Sequence, residues 1–163
     1  MARYQVQIIA VGKLRETYWK AAEAEYLKRL TGYTSRIEVT EVADEPTPDN
    51  ASAAEEDLIR EREGQRLLAK IGERDYVVAL DRQGKSLGSE TFAAHLDTRA
   101  TEGYSIFTFV IGGSLGLSPS VLSRAHLTLS FGAFTYPHQL MRVLLLEQLF
   151  RAAKIQRGEA YHK

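Results

Sequence analysis

Two short segments of this chain, residues 76–80 and 106–111, consist almost entirely of apolar residues. Strands with this composition are typical of parallel sheets that are covered on both faces. Further strand patterns are predicted at residues 4–11, 37–42 and 127–131, and helical patterns at 17–29, 52–70, 89–98, 119–125 and 139–156. Strands that alternate with helices in this way predict an α/β fold, with a mostly parallel sheet, helices on both faces and one domain over residues 1–163.

The last predicted helix, residues 139–156, is apolar around nearly its whole circumference. Its polar residues form a narrow stripe: Arg142, Glu147, Arg151 and Lys154. A helix of this kind is expected to be buried from two directions. One direction is its own sheet, and the other is predicted to be a second copy of the chain, packed around a two-fold axis.

Composition excludes several kinds of site. The chain has no cysteine, which excludes a disulfide framework, a thiolate zinc site and a cysteine nucleophile. Its four histidines lack the spacing of metal ligands, so no metal site is predicted. The apolar run near the N-terminus is too short for a membrane span and lacks the features of a signal peptide, which predicts a cytoplasmic protein.

Charge is balanced overall but uneven along the chain. The 21 basic and 21 acidic residues cancel, which by itself argues against nucleic-acid binding. Residues 41–64, however, hold nine acidic and two basic residues, whereas residues 138–163 hold five basic and two acidic ones. An anionic partner would therefore meet the C-terminal end, but charge alone favours the interpretation that both regions are solvated helix faces.

Three predicted strands end in segments suited to ligand binding: residues 80–81, 112–117 and 131–137. Open α/β sheets bind ligands beyond the carboxyl ends of their strands. The sequence GGSLG at 112–116 matches neither a dinucleotide fingerprint nor a P-loop, and a simple strand-to-helix turn accounts for it equally well. Phe131, Phe134 and Tyr136 either line a cavity for a flat ring or complete the core.

His138 follows Pro137 at the start of the last helix, where the helix dipole favours a neutral, basic imidazole. A capping or packing role is the alternative. Tyr161 and His162 lie in a tail that is expected to be disordered unless something uses it. No Ser-His-Asp arrangement is evident, and the carboxylates of residues 55–57 belong to a solvated helical run, so a hydrolase site is not predicted.

Five stretches together resemble one known family. They are AVGKL (10–14), EGQRLLAKI (63–71), FVIGGSLGLS (109–118), TYPHQLMRVLLLEQLFRA (135–152) and RGEAYHK (157–163). The sequence resembles, nearly end to end, the ribosomal RNA large subunit methyltransferase H family of the SPOUT superfamily. The combination of IGG, PHQLMR and a terminal AYHK is far more specific than any single motif.

The resemblance implies a fold that sequence patterns do not reveal, an α/β trefoil knot over about residues 106–163, in which the C-terminal segment threads through a loop. It also implies the cofactor S-adenosylmethionine. The implied cofactor-binding residues lie in the same three strand-end segments: Leu80, Gly112, Gly113, Phe131, Gly132, Ala133, Phe134, Thr135 and Tyr136.

The implied substrate is a pseudouridine of large-subunit ribosomal RNA, methylated at ring nitrogen N3 on the assembled ribosome. Because N3 carries a proton, a general base is expected, and His138 and His162 are the candidates. Arg142 and Tyr161 would position the edge of the substrate's uracil ring or a phosphate group. Two alternatives remain: a non-enzymatic ribosome-associated or assembly factor with a nucleotide-like pocket, and a different nucleotide-binding α/β enzyme.

Overall fold

A five-stranded, fully parallel sheet forms the centre of the protein. The computed structural model describes residues 4–162, so residues 1–3 and Lys163 of the predicted domain and motifs lie outside it. The strands are β1 (Gln5–Val11), β2 (Arg36–Val42), β3 (Tyr76–Ser86), β4 (Ile106–Ile111) and β5 (Leu127–Ser130). The helices are α1 (Thr17–Leu30), α2 (Ala53–Leu68), α3 (Ser89–Thr101), α4 (Pro119–Arg124) and α5 (His138–Gln156). The strand order is β2-β1-β4-β3-β5.

Alternate side chains of the strands build one core on each face of the sheet. Ile8 of β1 and Phe109 of β4 pack on the face covered by α1, α3 and α5. Ile9 and Val110, their neighbours in sequence, pack on the opposite face, which α2 and α4 cover. The predicted α/β class, with a parallel sheet and helices on both faces, is therefore confirmed.

Local sequence signals explain several helix boundaries. Ser52 and Glu55 form a capping box at the start of α2, because each side chain binds the backbone N–H of the other residue. The helical pattern over residues 89–98 begins at Ser89, but Gly88 occupies the N-cap position of α3. The Ser89 hydroxyl instead donates to Gln148 Oε1 of α5 at 2.6 Å, and so ties two neighbouring helices together.

β3 does not end with the predicted strand over residues 76–80 but continues to Ser86. Leu80 and Lys85 both pair with Leu129 of β5, so the intervening residues leave the sheet and the chain then returns to it. Gly84 permits the return, since a Cβ at this position would lie only 2.6 Å from the Thr128 carbonyl oxygen. The excursion places Asp81 and Arg82 at the carboxyl edge of the sheet.

Helix α5 lies on the sheet between α1 and α3. Leu145 and Leu146 are fully buried there, whereas Leu140, Val143 and Leu144 are only half-buried and share another face of the helix. A second subunit as the cover for that face stays a prediction, as does the threading of the C-terminal segment through a loop. No helix within residues 4–162 is long and apolar enough to cross a membrane.

Candidate active site

The carboxyl ends of β4, β3 and β5 lie side by side in the sheet and surround a cavity of about 400 Å³. All three strand-end segments singled out in the sequence contribute to its wall. Eight of the nine predicted cofactor-binding residues line it: Leu80, Gly112, Gly113, Phe131, Gly132, Phe134, Thr135 and Tyr136. Ala133 is exposed on the same loop and does not line the cavity. The sequence thus predicted where the cavity lies, while the functional role of each residue stays a prediction.

The segment after β4 is a tight turn that closes on itself. Gly116 N–H donates to the Gly113 carbonyl oxygen at 3.0 Å. A Cβ on Gly112 would lie 2.8 Å from the Gly116 carbonyl carbon, closer than real Cβ atoms approach. Glycine at position 112 is therefore required by the turn's own backbone, and the backbone of the turn forms one wall of the cavity.

Polar contacts fix the segment after β5 against the end of β3. Gly132 has a φ of +111°, which glycine adopts readily, and its N–H donates to Ser130 Oγ at 3.1 Å. The Ser130 hydroxyl in turn donates to the Arg82 carbonyl oxygen at 2.8 Å. The Arg82 guanidinium donates to Thr135 Oγ1 at 2.7 Å. Phe134 contributes to the cavity wall and is still 80% exposed, a large apolar surface for a ligand or partner to cover.

His138 is the first residue of α5 and lines the cavity. Burial lowers the pKa of its imidazole, the charge of Arg142 lowers it further, and Asp44 acts in the opposite direction. The net shift is downward from the ordinary value of 6.5, so the imidazole is mostly neutral at pH 7. A neutral imidazole at the cavity wall can accept a proton.

Arg142, one turn further along α5, faces away from the cavity. Its side chain is almost completely buried, and its guanidinium lies 2.7 Å from Glu41 Oε2 and 3.3 Å from Glu23 Oε2. It also donates to the Gly12 carbonyl oxygen at 3.3 Å. These contacts join α5 to α1, to β2 and to the turn after β1. In a single chain Arg142 therefore supports the site from behind, and it does not border the cavity.

The tail is ordered and packs against the far end of α5. Tyr161 OH donates to Glu147 Oε2 at 2.9 Å, and its ring lies edge-on to Phe150 with the centroids 5.0 Å apart. His162 Nδ1 lies 3.1 Å from Arg151 Nη1. Neither Tyr161 nor His162 lines the cavity, in which Met141 is the last residue of α5. Their partners Glu147 and Arg151 lie six and ten residues further along the helix, about 9 and 15 Å from Met141. Tyr161 and His162 thus do not meet the cavity within one chain.

Two further residues at this site were not singled out in the sequence. Arg82 holds the loop after β5, and Glu63 of α2 is buried beside Gly113. Glu63 is followed by Gly64, and a glycine inside a helix is unfavourable without a packing reason. A Cβ on Gly64 would lie 2.3 Å from Ser118 Oγ, so its absence lets α4 approach α2 at this point. The Glu-Gly pair was therefore the available signal. Within residues 4–162, no three His, Cys, Asp or Glu residues are arranged to hold a metal ion.

The parallel sheet and the cavity beyond its carboxyl edge are features of α/β enzymes that bind small molecules. Residues 4–162 match a family described as "Predicted SPOUT methyltransferase". The match covers nearly the whole chain, and the protein belongs to the SPOUT methyltransferase family.

Named relatives agree with this family, and a solved structure shares the fold. Proteins named "Ribosomal RNA large subunit methyltransferase H" from three strains of Streptococcus thermophilus are each 55% identical to this chain over 159 residues. The aligned region covers 98% of this chain and 99% of each relative. A solved structure of a probable methylase family protein from Haemophilus influenzae aligns with a TM-score of 0.51 at 11% identity, covering 97% of this chain and 70% of that one. This last likeness concerns the fold alone.

Proposed function

We propose that this protein transfers a methyl group from S-adenosylmethionine to ring nitrogen N3 of a pseudouridine in large-subunit ribosomal RNA, acting in the cytoplasm on the assembled ribosome. The observation that carries the proposal is the convergence of three strand-end segments on one cavity, in a chain 55% identical to relatives named for rRNA methylation. The names of these relatives favour an enzyme over a non-enzymatic assembly factor. The absence of a dinucleotide fingerprint and of a P-loop from the sequence argues against NAD or ATP as the ligand.

The cavity suits a cofactor of this size and chemistry. Its volume, about 400 Å³, lies in the range of small-molecule sites. Leu80, Leu129 and Phe131 offer apolar surface for the adenine ring, and the backbone of residues 112–116 offers polar groups close to the ligand. When bound, S-adenosylmethionine supplies an already activated methyl group, so the protein's main task is to align the accepting nitrogen.

In this proposal His138 is the general base. It lines the cavity, and its lowered pKa keeps it available for a proton at neutral pH. Arg142 is a positioning residue, since its charge helps to lower the pKa of His138 and its contacts fix the first turns of α5. The accepting nitrogen would lose its proton to His138 as the methyl group is transferred.

A two-fold dimer through α5 would bring the tail to a cavity. A two-fold axis perpendicular to α5 makes the two copies of the helix antiparallel, so the C-terminal end of one lies beside the N-terminal end of the other. The half-buried face of Leu140, Val143 and Leu144 supports such contact, because it leaves apolar surface for a partner to cover. Tyr161 and His162 of one subunit would then complete the cavity of the other, and position the RNA.

Gly112→Ala should weaken binding of S-adenosylmethionine by about 10- to 100-fold, because the added methyl group cannot be placed without opening the turn that walls the cavity. Isothermal titration calorimetry measures this directly. Gly32→Ala is the matched control, since a Cβ there meets nothing within 4 Å. Equal affinity of Gly112→Ala and the control would contradict the location of the cofactor. Wild-type protein that binds NAD or ATP in preference to S-adenosylmethionine would contradict the function.

The rate of methyl transfer should fall as the pH is lowered, with a midpoint below 6.5. Only the neutral imidazole accepts a proton, and burial holds the pKa of His138 below its ordinary value of 6.5. His138→Asn should abolish this fall in rate at low pH and reduce the maximal rate about 10²- to 10⁴-fold. Single-turnover rates between pH 5 and 8 provide the measurement. If the rate still falls at low pH in His138→Asn but no longer does so in His162→Gln, the general base is His162 instead.

A further inference from the structure

A second, smaller cavity of about 70 Å³ adjoins the main one. The two cavities share Gly113, Ser114 and His138 in their walls. The smaller cavity is otherwise lined by Val11 and Gly12 at the end of β1, by the acidic segment after β2 and by Glu63 of α2. The smaller cavity therefore lies directly beside the main one, at the backbone of residues 113–114.

Glu63 has one carboxylate oxygen without a partner in this cavity wall. Only 4% of the residue is exposed, and its Oε2 accepts a hydrogen bond from Glu45 N–H at 2.9 Å. Its Oε1 has no hydrogen-bond partner among residues 4–162. A Cβ on Gly113 would lie 3.2 Å from this oxygen, so Oε1 faces the backbone that the two cavities share. A buried carboxylate oxygen is costly without a partner, and burial indeed raises the pKa of Glu63.

The charges around the smaller cavity favour a cation. Asp44 and Glu45 line it together with Glu63. Within residues 4–162, Glu45 is the one of these three that forms a salt bridge, to Arg66. His138, which also lines this cavity, is mostly neutral at pH 7. The remaining charge is negative, so a positively charged hydrogen-bond donor suits this space.

We propose that the smaller cavity binds the α-ammonium group of S-adenosylmethionine, with Glu63 Oε1 as its acceptor and Asp44 as a second, weaker anion. This inference rests on the proposed function, since it assumes that S-adenosylmethionine occupies the main cavity. A volume of about 70 Å³ accommodates a primary ammonium group with its first carbon and is too small for a nucleobase. The position of Glu63 in the wall, rather than at the entrance, also favours a group of the cofactor over the RNA.

The test compares two ligands that differ only in the amino group: S-adenosylhomocysteine and its desamino analogue. In wild-type protein the desamino analogue should bind about 10- to 100-fold more weakly, the range expected for a hydrogen bond to a charged group. Glu63→Gln should bind S-adenosylhomocysteine more weakly by a similar factor and should no longer distinguish the two ligands. Glu56→Gln removes the same charge from the same helix outside the cavity and should retain the full discrimination.

Asp44→Asn provides a second variant whose folding is not in question, because Asp44 is exposed. It should reduce the ratio of the affinities for the two ligands about threefold, the effect expected of a partly solvated charge. Wild-type protein that binds both ligands equally would overturn the inference and leave the proposed function intact. Undiminished discrimination in Glu63→Gln would also overturn it. Failure of wild-type protein to bind S-adenosylhomocysteine or S-adenosylmethionine at all would instead contradict the proposed function itself.

Discussion

Deletion of residues 161–163 should leave the affinity for S-adenosylmethionine within about twofold of wild type, while methyl transfer falls by about 10³-fold or more. The cavity is built from residues 80–141, and neither Tyr161 nor His162 lines it. The deletion should cost modest stability, since it uncovers Phe150 and removes one hydrogen bond to Glu147. Calorimetry and single-turnover transfer measure the two quantities separately.

A mixing experiment shows which subunit the tail serves. The deletion variant retains His138 and its cavity, whereas His138→Asn retains the tail. If the tail acts on the partner, statistical mixing makes about half of the dimers heterodimers, and each heterodimer has one complete site of two. About a quarter of wild-type activity should then return. If the tail acts within its own chain, no mixed dimer contains a complete site and activity stays at the level of the single variants. A monomeric wild-type protein in analytical ultracentrifugation would contradict the dimer directly.

Arg142→Ala should lower the free energy of unfolding by about 3–5 kcal/mol, the usual result of removing one partner from a buried ion pair. The arginine is 1% exposed, and its loss leaves Glu23 and Glu41 without their shared cation. Burial already raises the pKa of Glu23 despite the arginine, so the unpaired carboxyl should take up a proton more readily in the variant. Urea unfolding at pH 7 and at pH 5 measures the effect, which should be smaller at the lower pH.

Arg36→Ala is the matched control. Its partner Glu38 lies 2.9 Å away, but the arginine side chain is 66% exposed, so its removal should cost less than about 1 kcal/mol. Adding Glu23→Gln and Glu41→Gln to Arg142→Ala should recover part of the lost stability, because the unpaired charges are then gone. Equal stability of Arg142→Ala and Arg36→Ala would show that the buried pair does not hold α5 in place.

The architecture could be predicted because strands that are buried on both faces are recognisable in the sequence by their apolar residues. Residues 76–80 and 106–111 are apolar because both faces of their strands are covered. The return of β3 to the sheet could not be predicted in this way, because no apolar pattern marks it. Asp81, Arg82 and Gly84 have the composition of a turn, and only the pairing of Lys85 with Leu129 reveals that the strand resumes.

The site was predictable where backbone geometry determines it, and less so where charges meet across the fold. The three strand-end segments had to converge once the sheet was parallel and β4, β3 and β5 were neighbours. Arg142, by contrast, lies in the polar stripe of a helix, and its acidic partners are more than a hundred residues away in sequence. Glu63 belongs to an acidic stretch typical of a solvated surface, yet it faces inward.

Transfer of a labelled methyl group from S-adenosylmethionine to ribosomes is the most direct test of the proposed function. Assembled ribosomes, isolated large subunits and naked rRNA should be compared, and the modified nucleotide then located by mass spectrometry. We expect one methyl group per large subunit, on N3 of a pseudouridine, with assembled ribosomes as the preferred substrate. Absence of label from all three substrates, in protein that binds S-adenosylmethionine by calorimetry, would contradict an rRNA methyltransferase.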